Sequence, residues 1–522
     1  MQQKTLLAAL SCGLLLTACA SDERPMVERQ VVAPAGDGAI AAVSGALARI
    51  EARDADLQAV LAIDPSAMDQ ARAIEARGAD APLRGAAVLV KDNIEAAGPL
   101  PTTAGSLALA GNVTGRDAPL VSGLREAGAV ILGKTNLSEW ANFRSENSNS
   151  GWSGVGGQTF NPWAMDRSPC GSSSGSGAAV AAGYTDYAVG TETNGSITCP
   201  AAMNGIVGLK PSVGMISRTN VVPISITQDT AGPMTRTVRQ AAQMMDAMVG
   251  SDPADPATAP ADRYKGAFVP ALAGASLAGK RLGVLEFATG FGTDAAFAQA
   301  KALLEAEGAI LVSIEDIGAE ELEGSTSYDI LLAEFRDGIN RYLASTDPRQ
   351  VPTRTLADLI AFNAANGREL SIFDQSIFEK SEATRLDEAY RDKVKANLEW
   401  SGKNGIDRLL AANDLDALIF PTAAPAMLID HVHGDSWHGG GAGYLAAWAG
   451  YPHLTVPMGL VKGLPVGLSF VGTKWDDPAI LALGAAYEAA RGPFAEPTFA
   501  ASSFDLAPIA PSLEPARLEP AR

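Results

Sequence analysis

Positive charge is in short supply: 40 Lys and Arg stand against 59 Asp and Glu, a formal net charge of −19 spread along 522 residues. A protein that holds nucleic-acid phosphates or anionic lipid by charge needs a basic face, so both are excluded as general partners. Cysteine is equally scarce, and four in this length rule out a disulfide-held scaffold. Aromatic residues make up only 6%. Long apolar runs are missing beyond the N-terminus. The stretch 439–461 has no Asp, Glu, Lys or Arg, yet its six Gly and two Pro mark a turn-rich core segment and not a bilayer helix. No solenoid-like repeat is visible. What remains is 47% hydrophobic residues with 53 Gly and 31 Pro, the mixture of a globular protein with a large core and many tight turns. The length allows three domains or one large α/β core.

The N-terminus reads as an address. Met1 to Lys4 is basic, Leu6 to Leu16 is apolar, and Leu16-Thr17-Ala18-Cys19 closes the run. That is the pattern of a signal peptide over 1–18, too short to span a membrane as a mature helix. Small residues directly before Cys19 resemble a bacterial lipobox. The expectation is cleavage before Cys19 and a lipid on it, anchoring the chain in the bacterial cell envelope, on the periplasmic side or in the outer membrane; an ordinary secretory signal is the alternative. Residues 19–36 suit a tether. At the other end Leu-Glu-Pro-Ala-Arg occurs at 513–517 and again at 518–522, so 501–522 reads as a disordered tail.

Between these ends a single domain is expected over 37–500. Ile40, Val43, Leu47 and Ile50 recur at helical spacing. Gly85 to Val90 is a buried strand ending at Lys91. Helix, strand, helix and strand follow at 119–127, 129–132, 177–183 and 187–190, and again strand, helix, strand at 281–287, 294–307 and 309–314. Later strands fall at 416–420, 454–456 and 466–471, with a closing helix at 478–490. This alternation predicts a three-layer α/β/α sandwich on a large mixed, mostly parallel sheet. Residues 320–412 turn helical and charged, an excursion expected over one edge of the sheet.

The densest signal is Ser168-Pro169-Cys170-Gly171-Ser172-Ser173-Ser174-Gly175-Ser176-Gly177. A flexible linker is the plainest reading, but an apolar helix follows at once. A nucleophile elbow, Gly171-Ser172-Ser173-Ser174-Gly175 with Ser173 as nucleophile and one of the histidines in a triad, matches G-x-S-x-G in form. An elbow needs a strand before it, and Asn161-Pro162-Trp163-Ala164-Met165-Asp166-Arg167-Ser168-Pro169 is not one. The third reading joins this loop to Val88-Leu89-Val90-Lys91-Asp92-Asn93 and to Gly190-Thr191-Glu192-Thr193-Asn194-Gly195-Ser196-Ile197. Together the three resemble the amidase signature family. Its Ser-rich stretch, usually G-G-S-S-G-G-S-A, aligns with Cys170 to Gly177, and its nucleophile loop, usually G-T-D-x-G-G-S-I, with Gly190 to Ile197. The interval from Ser172 to Ser196 is 24 residues, the family's spacing. Glu146-Asn147-Ser148, Asn161-Pro162-Trp163, Gly208-Leu209-Lys210-Pro211, Asp229-Thr230-Ala231-Gly232-Pro233-Met234 and Phe420-Pro421-Thr422 also match, so the resemblance runs over roughly 37–495. Cys170 and Ser174 in the Ser loop, and Cys199-Pro200-Ala201-Ala202 after the nucleophile loop, resemble the bacterial peptide amidase branch. Asn194 departs from the usual Gly or Asp and loosens any statement about substrate range.

The resemblance implies a serine amidohydrolase. Ser196 would be the acyl-forming nucleophile, Ser172 a bridging serine preceded by a cis peptide bond, and Lys91 the terminal base. The backbone N–H groups of Thr193, Asn194, Gly195 and Ser196 would form the oxyanion hole. No metal or organic cofactor is implied. Lys91 must then be neutral. From a free value near 10.4, neutrality at pH 7 costs about 4.6 kcal/mol unaided, and burial at the end of an apolar strand supplies shifts of that order. The substrate implied is the C-terminal carboxamide of peptides, with release of ammonia. Alternatives are a broader aryl or aliphatic amidase with esterase activity, the amidase subunit of the tRNA-dependent amidotransferase, which the signal peptide opposes, and a non-catalytic amide-binding lipoprotein.

Other residues invite a function. His431, His433, His438 and His453 are all the histidines and fall in one window; zinc ligation is one reading, a loop at the pocket mouth the simpler one. Cys170 and Cys199 read as buried free thiols, with a disulfide as the alternative in an oxidising envelope. Asp229 reads as a structural hydrogen-bonding residue, and Phe143, Trp152 and Trp437 as core or pocket wall.

Overall fold

The computed structural model describes residues 38–78, 81–318 and 326–513. The signal peptide, the lipobox cysteine and the tether lie outside the described residues, as does 514–522 of the tail.

Thirteen strands are present among the described residues: β1 (Val60–Ile63), β2 (Ala87–Lys91), β3 (Val130–Thr135), β4 (Trp152–Ser153), β5 (Gly157–Gln158), β6 (Tyr187–Glu192), β7 (Val207–Lys210), β8 (Thr230–Thr235), β9 (Arg281–Leu285), β10 (Ile310–Ile314), β11 (Ala417–Pro421), β12 (His453–Val461) and β13 (Leu464–Val471). Strands β4 and β5 form a small hairpin, and the other eleven make one sheet in the order β1-β3-β2-β6-β8-β7-β12-β13-β11-β9-β10. Alternate residues of each strand serve opposite faces. On β2, Val88 and Val90 join one core with the helices Pro119–Glu126, Val238–Met248, Asp294–Ala306 and Asp477–Arg491. Ala87 and Leu89 join the other, with helices Ala39–Leu57, Ala67–Arg77 and Ser174–Ala181. Helices on both faces of one sheet are the expected three-layer sandwich.

The sheet is mixed, with parallel pairing confined to two blocks. Strands β3, β2 and β6 run parallel, as do β11, β9 and β10. The six remaining pairings are antiparallel and include the whole centre, β6-β8-β7-β12-β13. The expectation of a mostly parallel sheet therefore holds for the blocks and not for the centre. Strands β7 and β8 escape a reading by periodicity because each is short and carries glycine, and Pro233 sits inside fully buried β8.

The excursion meets expectation in its later part, where Ile406, Leu409 and Leu410 pack with Ile314 of edge strand β10. Its helices Thr326–Ala344, Leu356–Ala365 and Ser376–Glu382 instead pack on Ala104, Leu109, Trp140, Phe143, Val222 and Ile224 and roof the loops. The tail begins later than expected. Leu506 is buried with Trp163 and Leu464, and the Ser502 and Ser503 hydroxyls bond Asp166 at 2.8 and 2.9 Å, so residues 501–506 belong to the folded body.

Candidate active site

Strands β2 and β6 are parallel neighbours, and Lys91 and Glu192 are their last residues. The carboxyl ends of such strands are where an α/β sheet presents a site. Lys91 is fully buried. Its ammonium nitrogen lies 2.7 Å from Ser172 Oγ, 2.8 Å from Thr191 Oγ1 and 3.3 Å from the Thr191 carbonyl. Among the described residues no carboxylate bonds it, and burial pulls its pKa down to about 7 against the opposing pull of Asp229 and Glu192. The peptide bond Gly171–Ser172 is cis.

Ser196 follows β6 by four residues and lines a cavity of about 620 Å³ together with Gly171, Thr193, Asn194 and Gly195. The segment is pinned from behind. Glu192 Oε2 accepts the Ile197 and Thr198 N–H groups at 2.7 and 2.9 Å, holding the start of helix Thr198–Asn204. Ser173 N–H donates to the Ser196 carbonyl at 3.1 Å and ties the two serine segments together. Asp229 accepts the Thr193 hydroxyl at 2.6 Å and the N–H groups of Ile224 and Ser225 at 2.8 Å each. Burial raises the Asp229 carboxyl to about 6. Gly195 has φ of 86°, a backbone conformation that favours glycine at the turn before Ser196. The arrangement places a cavity-lining serine hydroxyl, a buried serine and a buried amine of lowered pKa around the turn that carries backbone donors.

The elbow reading fails on geometry. Ser173 is fully buried, and its hydroxyl is engaged with the Thr191 carbonyl at 3.1 Å, away from any histidine. Cys170 and Cys199 form a disulfide, which corrects the expectation of free thiols. Their Cα atoms are 6.0 Å apart, within bridging range, and a separation of 29 residues hides that approach from any local reading. The histidines do not assemble. His433 pairs with Asp430, His431 with Gln158, and buried His453 with Ser469 Oγ at 2.7 Å, so no metal-holding cluster occurs among the described residues. His433 and Trp437, 60% exposed, do stand at the cavity rim, as does the excursion's Tyr328. Trp152 is core, edge-on to Phe373.

Three further residues belong to the site that sequence reasoning passed over. Thr191, the second residue of the nucleophile-loop motif, contacts Lys91 directly, and Asn93 Nδ2 donates to the same Thr191 hydroxyl at 2.9 Å. Glu192, next along, caps the helix. Their places inside matching motifs were the available signal.

The amidase family model matches residues 41–481. The chain belongs to the amidase signature family. It is an amide hydrolase by that membership. Native peptide amidase from Stenotrophomonas maltophilia is 44% identical, with a TM-score of 0.82 over 88% of this chain and 95% of that one. A probable amidase of Arabidopsis thaliana is 39% identical over 83% of each chain. A glutamyl-tRNA(Gln) amidotransferase chain of Salinispora arenicola is 34% identical over 88% of this chain and 96% of that protein.

Proposed function

We propose that the chain hydrolyses carboxamides through an acyl-enzyme on Ser196, with Ser172 passing the proton to Lys91, and that its substrates are the C-terminal amides of peptides. The observation that carries this reading is the buried Lys91 amine, 2.7 Å from Ser172 Oγ and shifted to about 7. An amine poised there takes a proton at neutral pH and returns it to the leaving nitrogen. The N–H groups of the Thr193–Ser196 turn face the charge that develops on the carbonyl oxygen. Likeness to peptide amidase favours the C-terminal amide, and the aromatic members of the cavity wall, Phe143, Tyr444 and Trp437, favour a broader aryl-amide range as the second reading. The signal peptide and lipobox favour an envelope enzyme anchored through lipid on Cys19. They also oppose the role of the related amidotransferase chains, since tRNA is cytosolic.

The test is ammonia release from a peptide carboxamide by the full chain beside Ser196→Ala, with an anilide in parallel. Loss of at least about 10³-fold in the variant is expected. Equal release from both proteins removes Ser196 from the chemistry, and turnover of the anilide alone favours the second reading. Palmitate labelling that vanishes in Cys19→Ala tests the anchor.

A further inference from the structure

A second cavity, of about 700 Å³, lies on the other side of the nucleophile turn. Three residues, Ala141, Thr193 and Ile224, line both cavities and so belong to the wall they share. Ser196 lines only the first. The helix Thr326–Ala344 crosses both, giving Tyr328 and Leu331 to the first and Glu334, Gly338 and Tyr342 to the second. We propose that the second cavity is the passage through which the hydrolytic water reaches the acyl-enzyme while a peptide acyl group fills the first. The proposal rests on the Ser196 reading above.

The need for a second route follows from size. A peptide acylating Ser196 must occupy the cavity that Ser196 lines, and it then obstructs the water that has to release it. The second cavity is suited to water at its inner end. Asn93, Thr191, Thr193 and Asp229 line it there. Asn93 is 2% exposed, and its buried Oδ1 has no partner among the described residues. Its Nδ2 bonds the Thr191 hydroxyl that also takes Lys91, so the polar end of this cavity abuts the base. Lys91 itself lines neither cavity. The outer rim reaches solvent at Ile226, 53% exposed. Ile224, 6% exposed, lines both cavities and is the side chain the passage would have to get past.

The step is a simple exchange at the acyl carbon. A bond forms from the water oxygen to that carbon, and the bond from the carbon to Ser196 Oγ breaks. One water proton passes through Ser172 to Lys91 and returns to Ser196 Oγ, and nothing is oxidised or reduced.

Substitution of the wall and the rim separates this route from the first cavity. With the full chain and a peptide amide, Ile226→Trp, at a residue that lines only the second cavity, is expected to lower kcat at least tenfold and leave kcat/KM, which reports acylation, within twofold. Ile224→Ala is expected to raise the ratio of methylamine capture to hydrolysis at least fivefold, and Ile226→Trp, which does not touch the first cavity, to lower it. Proportional losses in kcat and kcat/KM in Ile226→Trp, or a capture ratio unchanged in both Ile224→Ala and Ile226→Trp, overturn the passage. Should Ile226→Trp fail to fold, the capture ratio of Ile224→Ala decides. Mass spectrometry of the quenched wild-type reaction keeps the two ideas apart. Absence of an acyl adduct on Ser196 sinks the parent reading, whereas an adduct with unchanged capture ratios sinks the passage alone.

Discussion

Lys91 closes β2, and Lys134 lies on neighbouring β3, paired in register with Val90. Both are buried almost completely, and burial lowers the pKa of both. Their partners differ. Lys134 meets Asp92 Oδ1 at 3.2 Å, the Ile94 carbonyl at 2.7 Å and Thr102 Oγ1 at 2.8 Å. Asp92 directly follows Lys91 in sequence, yet it faces Lys134 and accepts Thr103 N–H at 3.1 Å. Lys91 is left with two hydroxyls and a carbonyl. A carboxylate in contact stabilises the ammonium, whereas neutral oxygens offset less of the desolvation. On the proposed mechanism, two buried amines one strand apart become an ion-paired lysine and the base, and the turn of one carboxylate separates them.

The sharpest way to break the comparison is to remove each amine. Lys91→Met is expected to lower kcat/KM about 10⁴-fold, the upper range for loss of a general base, with the fold retained by circular dichroism. Wild-type stability should also depend on pH through Lys91. The folded pKa near 7 lies below the unfolded value near 10.4. The unfolded chain therefore binds the extra proton between those values, and wild-type stability gains a rising contribution across that window, fully withheld below about pH 7. Lys91→Met loses this slope in urea titrations from about pH 6.5 to 10, and a slope that persists would deny the lowered pKa. Lys134→Met is expected to act on stability and not on the chemistry. It strands Asp92 as a buried unpaired charge, at a cost of about 3–5 kcal/mol measured in urea. A stable Lys134→Met would show that Asp92 accepts a proton cheaply and that the two lysines are not distinguished by it.

How much of this was legible beforehand depends on the range of the interaction. Lys91 at the end of an apolar strand, Ser172 in its loop and Ser196 24 residues on are local patterns, and the structure brings Lys91 and Ser172 into contact and sets Ser196 on the adjoining turn. The helix over Ala39–Leu57 and the strands of the two parallel blocks were equally plain, because burial on one stripe or on both faces leaves a period or an apolar run. Strands β7 and β8 were not, since glycine in both and Pro233 inside β8 interrupt the apolar run. The disulfide, the roof made by the excursion and the orientation of Asp92 toward Lys134 are contacts across long separations. Nothing in composition or spacing encodes which way a carboxylate turns.

The smallest expected effect concerns Thr191, the residue that holds the poised amine in place. Its hydroxyl accepts from Lys91 Nζ at 2.8 Å and from Asn93 Nδ2 at 2.9 Å. Thr191→Val keeps the shape and removes the acceptor. A hydrogen bond donated by an amine favours its charged form, so losing it lowers the Lys91 pKa further. On the proposed mechanism the neutral amine is the active form, so wild-type kcat/KM is expected to rise about tenfold per pH unit below 7 and level off above. In Thr191→Val the midpoint of that limb should move down by about half a unit, while the plateau falls several-fold because the amine is less well aimed at Ser172. Thr191→Ser should restore both. A purely structural role would lower the plateau without moving the midpoint. A midpoint that moves upward would mean that loss of the hydroxyl lets Glu192 or Asp229 approach the amine, and Lys91 would then have become a second Lys134.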